Sequence, residues 1–133
     1  MVNYNALMDY QQARNYLLSH PEAEEDYPFG PDVAVMKVKG KMFATLAMEG
    51  DSPRTNLKCD PDEAVMLRDI FDGVIPGYHM NKRHWNTVIL DGDVPSAEIE
   101  RMMDRSYGLV VRGLKKQQRE ALILAYGSEA IFK

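Results

Sequence analysis

Apolar and polar residues recur along this chain with two different periods, and the switches between them mark its elements. Tyr10, Ala13 and Leu17 repeat at helical spacing, with Leu18 beside them. Asp9 and Gln12 stand ahead of them at the spacing of a capping box. The pattern predicts a first helix that Pro21 ends, since proline disfavours helical geometry in the residue before it. Ala6 shares the same face, which allows a start as early as Asn5. Glu22, Glu24, Glu25 and Asp26 then read as an acidic loop, and Tyr27-Pro28-Phe29-Gly30-Pro31 excludes regular structure.

From Val33 the period changes to two. Val33 to Val38 is rich in β-branched residues, Lys39-Gly40 is a tight turn, and Lys41 to Met48 is the returning strand of a hairpin. Ala34, Met36 and Val38 share one face of the first strand, with Lys37 and Lys39 on the other. Glu49 to Arg54 reads as a second turn and Thr55 to Cys59 as a third strand. Asp60-Pro61-Asp62-Glu63 starts a helix: Asp60 caps, proline suits the first helical position, and Glu63 completes the box. Ala64, Leu67 and Phe71 form its buried stripe, and Asp72-Gly73 stops it. Residues 76–84 are expected as a loop, Trp85 to Leu90 as a fourth strand, and Asp91-Gly92-Asp93 as a turn.

Ser96 is expected to cap a helix through about Arg112, with Ile99, Met103, Tyr107 and Val110 inward. Lys115 to Tyr126 follows, with Gln118, Ala121, Leu122 and Ala125 facing in and Gly127 as C-cap. The order α-β-β-β-α-β-α-α implies an α+β fold: an antiparallel sheet of hairpins with helices on one face.

The 133 residues are read as one domain, with a core over 4–127 and a tail over 128–133. Apolar content of 45% and charged content of 27% fit a soluble globular protein. No apolar run has the length of a membrane span, and Met1 to Tyr10 lacks the pattern of a signal peptide. The lone Cys59 fits a reducing cytoplasm, where it reads as a small hydrophobe. The net charge of −4 means that any nucleic-acid site must be a local basic patch on an acidic body.

The densest polar chemistry lies in Pro76 to Gly92, which holds two histidines, two adjacent cations, two asparagines and the only tryptophan. His79 and His84, joined by Asp91 or Cys59, would be zinc ligands, but the spacing matches no zinc motif. Ser106 and Cys59 are the available nucleophiles; neither sits on a nucleophile elbow, and Ser106 is mid-helix, where a hydroxyl bonds a backbone carbonyl. There is no phosphate loop, dinucleotide fingerprint or other cofactor signature. Catalysis thus has no residue-level support. Lys82-Arg83 beside Trp85 is the exception with binding potential: cations meet phosphate, while Asn81 and Asn86 can read a base edge. Lys37, Lys39, Lys41 and Lys58 add positive charge on or near the sheet.

Several segments together resemble the bacterial MmcQ/YjbR-like proteins. They are Pro28-Phe29-Gly30, Gly40-Lys41-Met42-Phe43-Ala44, Leu57-Lys58-Cys59, Pro76 to Trp85, Leu90-Asp91-Gly92, and Ser106-Tyr107 with Val110-Val111. The resemblance implies a frataxin-like (CyaY-like) α+β fold and a double-wing arrangement for binding DNA, with no catalytic or base-reading residue to carry over. It implies no iron role here, because the first helix is nearly free of carboxylates.

Two functions follow as expectations. The first is a non-enzymatic, cytoplasmic DNA-binding protein. Hairpin 33–48 and segment 78–90 would be its wings, with Lys39, Lys41, Lys82 and Arg83 on phosphates and Asn81, His84 or Trp85 at a base or bracing the loop. The alternative is a small-molecule or peptide-binding module with Tyr78, His79, His84 and Trp85 at a pocket mouth; the family's link to an antibiotic-resistance setting makes it a candidate sequestering protein. A structural role for the motif is compatible with either: His84 and Asn81 would tie the loop to the sheet and Trp85 would fill the core.

Overall fold

A computed structural model of the protein describes residues 8–133. Helix α1 (Tyr10–Leu18) precedes strands β1 (Ala23–Asp26), β2 (Val33–Val38), β3 (Lys41–Glu49) and β4 (Ser52–Lys58). Helix α2 (Pro61–Ile70) leads to β5 (Val74–Pro76) and β6 (Trp85–Ile89), and α3 (Ser96–Arg112), α4 (Lys116–Tyr126) and α5 (Ser128–Ile131) close the chain. The six strands form one sheet in the order β1-β2-β3-β4-β6-β5, every neighbouring pair antiparallel. The class is α+β, as the periodicity requires.

The capping box at α1 forms: Gln12 N–H donates to Asp9 Oδ1 at 2.7 Å, and Asp9 N–H donates to Gln12 Oε1 at 2.9 Å. An earlier start at Asn5 or Ala6 lies outside the described residues. The β2–β3 hairpin closes on a two-residue turn with φ of +51° at Lys39 and +79° at Gly40, the pair of left-handed conformations that matches strand twist.

The core lies between the sheet and the helices. Cross-strand partners place Ala34, Met36, Ala44, Leu46, Leu57 and Val88 on the helix-covered face, all buried. A bulge shifts the register between Met36 and Lys37, and Phe43 beside it is fully buried against Tyr107 at 5.3 Å between ring centroids. Helix α3 is the main support, with Ile99, Met103, Tyr107 and Val111 sealed against the strands. Tyr16 O–H and a His20 ring nitrogen both reach Asp104 at 2.8 Å, which ties α1 to α3.

Five local expectations are corrected. The acidic stretch is a strand, because its charges are neutralised across the fold: Glu22 by Lys39 at 2.9 Å, Glu25 by Arg14 at 2.8 Å and Asp26 by Lys37 at 2.7 Å. It forms one edge of the sheet, where charge discourages pairing with a second sheet. The third strand begins at Ser52, inside the expected turn. Glu63 does not complete a capping box; its carboxylate bonds Arg101 at 3.1 Å and Arg105 at 2.7 Å. Pro95, not Ser96, is the N-cap of α3. In α4 only Leu122 is buried, while Ala121 and Ala125 face solvent, since the helix lies at the margin of the core.

Candidate nucleic-acid interface

Strand direction decides where the cations go. β3 starts, β4 ends and β6 starts at the same end of the sheet, as the pairs Ala44–Leu57 and Lys58–Trp85 show. That end therefore gathers the Lys39–Lys41 turn, Lys58 and the loop carrying Lys82 and Arg83. With strands roughly 4.8 Å apart, β3 and β6 are separated there by about 10 Å, a span one stretch of nucleic-acid backbone can cover. Lys41, Lys82 and Arg83 are exposed and Lys58 is half-buried. Among the described residues, none of these four side chains is ion-paired.

Lys39 and Lys37 differ. Lys37 is committed to Asp26 of β1 and Lys39 to Glu22 just before that strand, and each holds its partner's pKa below the ordinary carboxylate range by hydrogen bonding. Of the hairpin cations expected at phosphates, Lys41 is the free one.

The loop between β5 and β6 is built by its backbone. Met80 N–H donates to the Gly77 carbonyl at 3.3 Å and His84 N–H to the Asn81 carbonyl at 3.1 Å, while the His84 carbonyl accepts from Cys59 N–H at 2.8 Å. Asn81 Oδ1 accepts from Arg83 N–H at 3.0 Å, which fixes the turn that presents the two cations. Gly77 admits no side chain: a Cβ there would stand 2.8 Å from the Trp85 carbonyl oxygen. The loop also folds onto the open face of the sheet, where Tyr78 N–H donates to Thr87 Oγ1 at 2.9 Å and Asn56 Nδ2 donates to the Tyr78 carbonyl at 3.3 Å.

The residues expected to brace this loop do so differently. Among the described residues the His84 imidazole makes no hydrogen bond, and the fastening runs through its main chain. Trp85 does not fill the core; it shares the open face with Thr87, two positions on, and is half-buried. Asn86 cannot read a base. It is 2% exposed, accepts from Arg68 at 2.7 Å and donates to the Ala64 carbonyl at 3.2 Å. His79 sits at φ +58° with its ring 4.0 Å from that of exposed Tyr78.

Both nucleophile candidates sit in settings that disfavour attack. Ser106 Oγ donates to the Phe43 carbonyl and accepts from Lys58 N–H at 2.8 Å, joining α3 to β3 and β4. Burial, and then the charge of Glu63, push the Cys59 thiol up to about 11. Among the described residues, no three His, Cys, Asp or Glu side chains gather as a metal site. No helix among them is long and apolar enough to cross a membrane.

Two further residues escaped the sequence reading. Asp93 accepts from the backbone N–H groups of Asp72 and Gly73 at 2.9 and 2.7 Å and so holds the start of β5. Arg54, on the open face, has a buried Nε with no hydrogen-bond partner. An Asp one residue beyond a Gly turn gives a weak hint of the first; nothing in the sequence marks the second.

The arrangement is that of a sheet-and-helix protein with one open sheet face and a cationic sheet end. The YjbR family description matches residues 18–109, and the chain belongs to that family. It is 34% identical to YbdF of Escherichia coli O157:H7 over 111 residues, 84% of this chain and 91% of the relative. It is 32% identical to YjbR of Escherichia coli K12 over 116 residues, 87% of this chain and 98% of the relative. A crystal structure of a Deinococcus radiodurans protein of domain type DUF419 superposes with a TM-score of 0.81 at 34% identity, covering 87% of this chain and 88% of that one. A Pseudomonas syringae protein superposes with a TM-score of 0.68 at 32% identity, covering 77% and 98% of the two chains. None of these names states an activity.

Proposed function

We propose that the protein is a non-enzymatic DNA-binding protein that meets the phosphate backbone with the end of its sheet. The observation that carries the reading is the set Lys41, Lys58, Lys82 and Arg83, brought to one end by strand direction and left without ion-pair partners among the described residues. Cations in such a row attract a polyanion by phosphate neutralisation and counterion release. The engaged Ser106 hydroxyl and the raised Cys59 thiol pKa favour binding over covalent catalysis.

The interface is narrower than two basic wings. Lys39 is paired to Glu22, Asn86 is buried, and Asn81 spends its oxygen on the loop. The reading is therefore phosphate contact with little base discrimination. A gel-shift with short duplex DNA at low salt tests it: Lys82→Ala with Arg83→Ala should weaken binding, and Lys37→Ala should not. Absence of binding, or equal binding by both variants, overturns it.

A further inference from the structure

The open sheet face carries a second feature, separate from the cationic end. Ala47, Arg54 and Ile89 are cross-strand neighbours there, and beside them opens a cavity of about 210 Å³. Ala47 and Arg54 line it with Met48, Glu49 and the loop residue Tyr78. Asn56 and Thr87 in its wall are already engaged: they bond each other and hold the Tyr78 main chain. Arg54 is not. Its Nε is buried without a hydrogen-bond partner, and its guanidinium makes no ion pair among the described residues. A permanent cation lining a cavity is stabilised by an anion, and the terminal edge of a guanidinium matches a planar carboxylate with two parallel hydrogen bonds.

We propose that this cavity is a binding site for a small monocarboxylate carrying an apolar or aromatic group, with its carboxylate on Arg54. Three features select this class. The volume is below the roughly 300–1,000 Å³ of sites for drug-sized molecules, so the ligand is small. Met48 and Tyr78, 47% and 63% exposed, give the cavity an apolar and aromatic rim. Glu49 lines the same cavity and is not paired with Arg54, so its negative charge disfavours a dianion such as phosphate.

The test is a titration of the whole protein, followed by amide and Arg Nε NMR signals, with phenylacetate, neutral phenylacetamide and inorganic phosphate as probes. Phenylacetate should shift Ala47, Arg54 Nε, Asn56 and Tyr78 saturably, with phenylacetamide and phosphate at least about tenfold weaker. Arg54→Gln should abolish binding and Glu49→Gln should improve phosphate. Ala47→Leu fills the cavity while leaving the guanidinium in place, and it should also block phenylacetate, which keeps the test valid if Arg54→Gln disturbs the fold. Lys82→Ala with Arg83→Ala should leave phenylacetate binding unchanged, which separates this site from the DNA reading. The proposal is overturned if phenylacetate does not saturate, if phenylacetamide binds equally well, or if Ala47→Leu binds as the parent does.

Discussion

Lys39 Nζ lies 2.9 Å from Glu22 Oε1, so the tip of the β2–β3 hairpin is tied to the acidic edge strand and its first lysine is not a free cation. Lys37 is bound likewise to Asp26, and Arg14 of α1 to Glu25. Two cations thus hold a strand of sequence Ala-Glu-Glu-Asp in the sheet and a third holds the residue before it, and the free positive charge lies at the adjoining strand ends.

That edge strand should loosen in acid. Hydrogen bonds from Lys39, Arg14 and Lys37 depress the pKa values of Glu22, Glu25 and Asp26 in the folded protein. A depressed carboxylate contributes stability above its unfolded pKa and loses it as the pH falls through the folded one. Amide-exchange protection of residues 23–26 should therefore fall as the pH drops from 6 through the carboxylate range to below it, while the protection of β3 and β4 holds. Protection in β1 that is unchanged at the acid end would contradict the role given to these pairs.

Ser106 should matter for stability and not for chemistry. Its hydroxyl is fully buried between the Phe43 carbonyl and the Lys58 N–H. Ser106→Ala leaves a buried backbone donor and acceptor without this partner, at a cost of about 1–3 kcal/mol in urea unfolding. A change within about 0.5 kcal/mol would show that water or backbone relaxation replaces the hydroxyl.

Two neighbours in the loop-to-strand segment should respond in opposite ways. Asn86→Ala removes the acceptor of Arg68 and the donor to Ala64 in a buried site, and should cost about 1–3 kcal/mol. His84→Ala removes an imidazole that makes no hydrogen bond among the described residues and should stay within about 0.5 kcal/mol. Urea melts of the two variants check the pair, and a larger loss at His84 would return the bracing role to its ring.

What the sequence made legible was local. The Asp9–Gln12 cap, the Lys39-Gly40 turn and the apolar stripe Ile99, Met103, Tyr107 of α3 depend on residues a few positions apart. The strand β1 was not legible, because the residues that make it a strand are Lys37, Lys39 and Arg14, distant in the chain. Trp85 was misplaced for a related reason. In Trp-Asn-Thr-Val-Ile-Leu both alternating sets carry apolar groups, and Asn86 takes the core side only because Arg68 and Ala64 satisfy it. At the site, the loop and its cations were visible, but which cations are free depended on the tertiary ion pairs. The orphaned Nε of Arg54 had no sequence signal at all.

The salt dependence of DNA affinity tests the central claim most directly. Each phosphate neutralised contributes roughly 0.9 to the slope of log affinity against log salt on duplex DNA. Removing Lys82 and Arg83 together should lower that slope by about 1–2, while removing Lys37 leaves it unchanged. An equal slope for parent and double variant, or no measurable binding at low salt, would contradict the assignment of the sheet end to phosphate.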